Sequence, residues 1–225
     1  MKNLYSAEEY FDLTRTLAGD YLRKFTYPWE ALKGIDELIS SLSKTLGGDF
    51  VEIGENAWAH KTAKVAPTAY IGECTIIGAR TQVRHCAFIR GKVLIGDDCV
   101  IGNSVELKNA IIFDGVQIPH FNYVGDSILG YKCHMGAGAI TSNVKSDKTP
   151  VTVNGVERID TGLKKFGAIL GDYVEVGCNS VINPGAIIGK NTTVYPLTSV
   201  RGVIPANCIV KSGRFETVAK QDNKG

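Results

Sequence analysis

A six-residue period constrains this chain more than any other feature of its sequence. Aliphatic or small residues recur at Ile53, Ala59, Val65, Ile71, Ile77, Val83, Ile89, Ile95, Ile101 and Leu107, ten positions without a slip. Four residues after each comes a second, mostly small series: Ala57, Ala63, Ala69, Thr75, Thr81, Ala87, Val93, Cys99, Val105 and Ile111. Glycine often follows the lead residue, as at Gly54, Gly72, Gly78, Gly96 and Gly102. The pattern stutters through five- and six-residue steps at Ile112, Ile118, Val124, Leu129 and Met135, then resumes as Leu170, Val176, Ile182, Ile188, Val194 and Val200. Six is neither a helical period nor strand alternation. It describes short strands separated by turns and stacked so that every lead side chain enters one core, an all-β solenoid.

The first 50 residues differ. They hold eight Leu, two Ile and no Val, whereas residues 51–225 hold 39 Val and Ile together and six Leu. Leu favours helix and β-branched residues favour strand, so the class changes near Gly47-Gly48. Ser6-Ala7-Glu8-Glu9 reads as a capping box opening a helix from about Ala7 to Leu17. Leu32, Ile35, Leu38, Ile39, Leu42 and Leu46 form the stripe of a second helix starting near Trp29. Residues 1–50 are expected to cap one end of the solenoid, a docking or oligomer helix being the competing role. The segment contains no Gly-rich phosphate loop following a strand.

Residues 142–167 break the period inside a solenoid domain spanning 51–212, with 213–225 as a tail. Asn154-Gly155 between β-rich arms predicts a hairpin. An excursion from a rigid coil reads as a lid or binding loop, with a tolerated insertion as the plainer alternative. Its Lys145, Lys148, Lys164 and Lys165 suit contact with a phosphate.

Charge and composition narrow the function. A net charge of +2 and a pI near 8.1 argue against a nucleic-acid partner. No apolar run reaches the ~18 residues of a membrane span, and acidic residues stand where a secretory signal would be apolar. Six cysteines without a CxxC pair read as small buried thiols in a reducing cytoplasm. The four histidines, His60, His85, His120 and His134, include no close pair, so no metal is expected.

The segment VELKNAIIFDGVQIPHFNYVGDSILGYKCHMGAGAITSN (105–143) resembles the acetyltransferase domain of the bifunctional glucosamine-1-phosphate acetyltransferase / N-acetylglucosamine-1-phosphate uridyltransferase family. Archaeal-type sugar-1-phosphate members are similar also in the run Lys164-Lys165-Phe166-Gly167-Ala168-Ile169-Leu170-Gly171-Asp172. The likeness covers about residues 48–212, without the uridyltransferase domain. It implies a left-handed parallel β-helix of hexapeptide repeats, with three hexads per coil and about seven coils. It also implies acetyl-CoA as co-substrate, no metal, an amino-sugar 1-phosphate as acceptor, and a homotrimer whose CoA groove lies between subunits. A separate uridyltransferase is a conceivable partner, and no nucleotidyltransferase activity is expected of this chain.

The resemblance assigns roles residue by residue. His120 falls on the general base, a task that suits a group titrating near pH 7. Considered outside this motif, a lone histidine in such a coil is more often structural. Arg90, Lys108 and Tyr123 match contacts to the sugar phosphate, and Asn143 a contact to the amino sugar. His134 stands where the bacterial family has Asn at the sugar. Lys148 and Lys165 are both candidates for the loop lysine. The Gly136-Ala137-Gly138 run matches the loop whose backbone N–H polarises the thioester carbonyl, with Ala137 at its centre. Cys178 and Pro196 fall in the CoA groove, and Lys211 or Arg214 near a CoA phosphate. Val144, Cys178 and Pro196 depart from the family's Tyr, Ser and Ala. Two other functions share the fold: sugar O-acetyl transfer, and a non-catalytic assembly subunit that binds sugar phosphate or acyl-CoA. A carbonic-anhydrase-like centre lacks its histidines.

Overall fold

The computed structural model describes residues 5–212 and 214–217; of 214–217 only the backbone is considered. Residues 57–212 form a parallel β-solenoid whose coils each present three short strands. The first face stacks strands at 57–60, 75–77, 93–95, 110–112, 127–129, 168–170, 186–188 and 203–204. The second stacks 64–65, 82–83, 100–103, 117–120, 134–135, 175–176, 193–194 and 208–211. The third carries 70–71, 88–89, 106–107, 123–124, 140–141, 181–182 and 199–200. Two faces thus hold eight strands each, one more level than the seven coils expected. The lowest strand edge is closed by antiparallel pairing of Phe50–Gly54 with Ala57–His60, and the upper by 214–217 against Cys208–Lys211.

From Ile77 onward the lead residues point inward as the period demands: Ile77, Ile95, Ile112, Leu129, Leu170 and Ile188 are fully buried, whereas the expected leads Ile53, in the antiparallel strand below the coils, and Val65, in the first coil, are exposed because no coil lies beneath them. The stutter is a change of coil length. Ile77 pairs with Ile95 eighteen residues on, but Ile95 with Ile112 and Ile112 with Leu129 seventeen on. Corners are turned by left-handed residues rather than by the glycines that follow the leads. One corner uses Cys74, Lys92, Asn109 and Asp126, all at positive φ, and another Cys86, Ser104 and Phe121. The post-lead glycines serve close approach between coils. A Cβ on Gly102 would sit 1.5 Å from the Pro119 carbonyl oxygen.

The N-terminal segment does not cover an end; it runs along the first face as a strap. Its track is fixed by contacts that descend the coils: Phe11 packs on Phe113, the Leu32 carbonyl accepts from Asn109, Asp36 pairs with Lys92, and Ser40 Oγ accepts from Asn56. The reason is a second apolar row. Ile76, Leu94, Ile111, Ile128, Ile169 and Ile187 alternate with the inward leads, so they face outward and need a cover. The strap supplies it with Trp29, Ile35 and Ile39, all buried. The first helix is only Ala7–Tyr10, ending short of Leu17, and Ser6 makes no side-chain cap. Tertiary bonds end it: the Asp172 N–H donates to the Tyr10 carbonyl (2.9 Å), and the Asp12 N–H to the Asp172 carboxylate (2.6 Å). A short helix, Gly19–Leu22, follows, and the helix expected from Trp29 begins as a 3-10 turn, Pro28–Gly34, and continues as an α-helix, Ile35–Ser43. Among the described residues no helix is long and apolar enough to cross a membrane.

The excursion contains the expected hairpin, Thr152–Asn154 against Arg158–Asp160. Its connection has three residues, so Asn154 closes the strand rather than starting a two-residue turn. Val151, Val153 and Phe166 are fully buried, and Phe166 packs on Trp29 of the strap at 5.8 Å. The root of the excursion is therefore core, while Lys148, Lys164 and Lys165 remain exposed.

Candidate active site

The strands deliver the candidate residues to three neighbouring places. The first is the corner between the second and third faces. Backbone bonds from the next residue up set the column: Phe121 N–H to Asn103 O, Gly138 N–H to His120 O, Asn179 N–H to Ala137 O, and Leu197 N–H to Cys178 O. Asn103, His120, Ala137, Cys178 and Pro196 consequently stand one above another on successive coils. The His120 side chain is exposed at the end of its strand, Gln117–His120. In the adjoining loop Gly136 N–H donates to Val176 O and Gly138 N–H to His120 O. Ala137 is thus flanked on both sides by amides already engaged in the coil.

The second place is the third face, where two cations meet two carboxylates. Arg90 Nη1 lies 2.9 Å from Glu106 Oε1, which raises the guanidinium pKa further above its ordinary range. One coil up, Lys108 Nζ lies 3.1 Å from both carboxylate oxygens of Asp126. Asp126 also accepts from the side-chain amides of Asn109, at 2.9 Å, and of Asn143. Asn143 donates as well to the Tyr123 hydroxyl at 3.0 Å. The Tyr123 ring lies against Gly125, where a Cβ would come 2.3 Å from the hydroxyl. Burial, with Asp126 and Glu106 nearby, raises the Tyr123 pKa. Arg90, Lys108, Tyr123 and Asn143 are thereby gathered on one surface. Lys165 adjoins it through Phe166, whose N–H donates to the Asn143 carbonyl at 3.0 Å. Lys148 lies in an exposed turn closed by its own N–H on Lys145 O.

The third place is a groove of about 330 Å³ on the second face, lined by His134, Gly136, Cys178, Val194, Tyr195 and Pro196 among others. His134 Nδ1 sits 3.1 Å from Glu175 Oε2, and that contact raises the imidazole pKa above its usual 6.5. His134 therefore shares a groove with Cys178 and Pro196 rather than with Asn143. Lys211 Nζ rests 4.8 Å from the centre of the Tyr195 ring at one end of this strip. The Arg214 side chain is outside the described residues. Cys178 and Cys86 are exposed, against the expectation of buried thiols, because both fall at corners; Cys99, Cys133 and Cys208 are buried in the coil. Among the described residues no three His, Cys, Asp or Glu side chains are arranged to hold a metal.

Sequence reasoning passed over Glu106, Asn109, Asn122 and Asp126. Asn122 alone carried a signal, as an amide at an inward position of the small series.

Residues 79–184 match the family model described as the GMPPB C-terminal domain. The bifunctional protein GlmU of Methanococcus maripaludis (strain C5) is 32% identical over 195 residues, covering 85% of this chain and 45% of that protein. The bifunctional sugar-1-phosphate nucleotidylyltransferase/acetyltransferase of Sulfurisphaera tokodaii is 32% identical over 176 residues, covering 75% and 43%. The chain is homologous to GlmU-type proteins. It spans less than half the length of these relatives, over their C-terminal acetyltransferase region. Among solved structures, the UDP-N-acetylglucosamine acyltransferase of Campylobacter jejuni is 15% identical at a TM-score of 0.38, covering 71% of this chain and 73% of that one. AntD, an N-acyltransferase of Bacillus cereus described in complex with dTDP and coenzyme A, is 18% identical at 0.37, covering 79% and 94%.

Proposed function

We propose that the chain is an acetyl-CoA-dependent N-acetyltransferase acting on an amino-sugar 1-phosphate, glucosamine-1-phosphate or galactosamine-1-phosphate. The observation that carries this reading is the single corner column, where His120 stands directly below Ala137, Cys178 and Pro196. The thioester would lie along the groove beside Cys178 and Pro196, its carbonyl against the Ala137 N–H. The acceptor would lie across the third face, its phosphate on Arg90 and Lys108, steadied by Tyr123, Asn143 and Lys165. Relatives named for acetyl transfer over the matching region support the same reading.

An amine attacks only when neutral. His120 takes its proton as the nitrogen bonds to the thioester carbon, and the carbonyl oxygen gains charge against the Ala137 amide. The tetrahedral intermediate then collapses, the carbon–sulfur bond breaks, and the departing thiolate receives a proton from the imidazolium. No covalent enzyme intermediate is required.

Both cations are ion-paired within the chain, Arg90 with Glu106 and Lys108 with Asp126. A phosphate must therefore share Arg90 with Glu106 and Lys108 with Asp126, or displace those carboxylates. The pairing also favours one second reading, O-acetylation of an unphosphorylated sugar, which would leave both pairs intact. We assign the working form as a homotrimer. Phe121 and Leu197, 64% and 80% exposed beside the column, give the corner an apolar surface suited to a neighbouring subunit. A cytoplasmic setting agrees with free thiols. The test is CoA release from acetyl-CoA with phosphorylated and unphosphorylated amino sugars, comparing wild type with His120→Ala. The variant should lose about 10²–10⁴ in kcat. Absence of turnover on every phosphorylated amino sugar would refute the acceptor, and full activity in His120→Ala would refute the base.

A further inference from the structure

His120 and the Gly136–Ala139 loop sit on successive coils, and one buried side chain joins them. Asn122 belongs to an inward column of the third-face strands, with Ala87 and Val105 below it and Ala139, Ser180 and Thr198 above. All are buried, and the others are small, β-branched or hydroxylic. An amide at this point breaks the pattern of the repeat and must have its polar atoms satisfied.

They are satisfied by the two backbones on which the proposed chemistry depends. Asn122 Oδ1 accepts from the His120 N–H at 3.1 Å. Its Nδ2 donates to Gly136 O at 2.8 Å and to Ala139 O at 2.9 Å. The Gly138 N–H closes the circuit on the His120 carbonyl at 3.0 Å. Both carbonyls that Asn122 holds bracket Ala137, and the N–H it holds belongs to His120 itself. Elsewhere in the column the same geometry is managed without an amide; Ser180, for instance, reaches a single carbonyl, that of Tyr195, at 3.0 Å.

We propose that Asn122 is a positioning residue for acyl transfer, fixing the turn that carries His120 against the loop that presents the Ala137 N–H. It touches no substrate and acts through those two backbones. The inference rests on the reading of His120 as base and of Ala137 as the thioester amide. A carbonyl polarised on one coil and a proton acceptor on the next react well only at fixed separation, and a shift of about 1 Å costs up to about 10²-fold in rate.

The experiment compares Asn122→Ala and Asn122→Ser in the full chain, assayed well below their melting temperatures, in wild-type and His120→Ala backgrounds. Ala and Ser occupy the equivalent site at Ala87 and Ser180, so the coil accepts both shapes. The expected result is a loss of about 10- to 100-fold in kcat for Asn122→Ala, with both KM values within about twofold of wild type, and a smaller loss for Asn122→Ser. In the His120→Ala background the same change should cost less than about threefold, because there is no base left to misplace. A kcat for Asn122→Ala within about twofold of wild type, or an equal loss in both backgrounds, overturns the proposal. Wild-type turnover in His120→Ala alone would instead overturn the reading of the base, so the two failures are distinct.

Discussion

Asp126→Asn isolates the charge at the centre of the third-face cluster. Asp126 sits at φ 50°, a conformation that asparagine adopts as readily as aspartate, so the backbone is unaffected. Its carboxylate meets donors on every side: Lys108 at 3.1 Å, Asn109 at 2.9 Å, and Asn143. An amide offers one oxygen and one NH₂, and whichever way it turns, the NH₂ faces a donor. The Asp126 side chain is 6% exposed and that of Lys108 25%, so water compensates the lysine only in part. Removing one partner of a fully buried pair costs about 3–5 kcal/mol. Discounted for the exposed part of Lys108, the expectation is about 2–4 kcal/mol. For a chain of this size that corresponds to a fall of about 4–16 °C in Tm by circular dichroism at neutral pH. The double variant Lys108→Met/Asp126→Asn removes the stranded ammonium and should recover part of the loss. A Tm for Asp126→Asn within about 1 °C of wild type would refute the view that this carboxylate organises the cluster.

Two further outcomes follow from the coil and the groove. Gly102→Ala should destabilise by about 3 kcal/mol or more, since the added Cβ would meet the Pro119 carbonyl at 1.5 Å and backbone cannot yield cheaply; chemical denaturation measures it, and a change below about 0.5 kcal/mol would contradict the close approach. His134 has its pKa raised by Glu175, so the pair's stabilisation is present below the usual 6.5 and is lost as pH rises through the higher folded value. Glu175→Gln should lower the His134 pKa in an NMR titration, and an unchanged midpoint would show the contact to be without effect.

Much of the fold was legible because each inward residue is dictated by one local rule, six residues at a time. The outward row, Ile76, Leu94, Ile111 and Ile128, was equally present in the sequence but repeats only once per coil. A six-residue scan overlooks it, and with it the reason the N-terminal segment lies along a face. The Ser6–Glu9 signal was locally sound and was overridden at Tyr10 by Asp172, a residue 160 positions from Asp12. The candidate site divides in the same way. His120 and the Gly-Ala-Gly run could be read from a contiguous motif, and coil length alone brings them into one column. Asp126 could not, because its role depends on Lys108, Asn109 and Asn143, which reach it from neighbouring coils. His134 was read by position in a motif, yet strand alternation turns it onto the second face, beside Glu175.

Acetyl transfer to an amino-sugar phosphate is the chemistry proposed for this corner column. The most direct measurement is mass-spectrometric detection of product after incubating the protein with acetyl-CoA and glucosamine-1-phosphate or galactosamine-1-phosphate. The expected result is an acceptor heavier by one acetyl group on nitrogen, formed with equimolar free CoA and nearly abolished in His120→Ala. Unmodified amino sugar after prolonged incubation, or product formed equally well by His120→Ala, would contradict it.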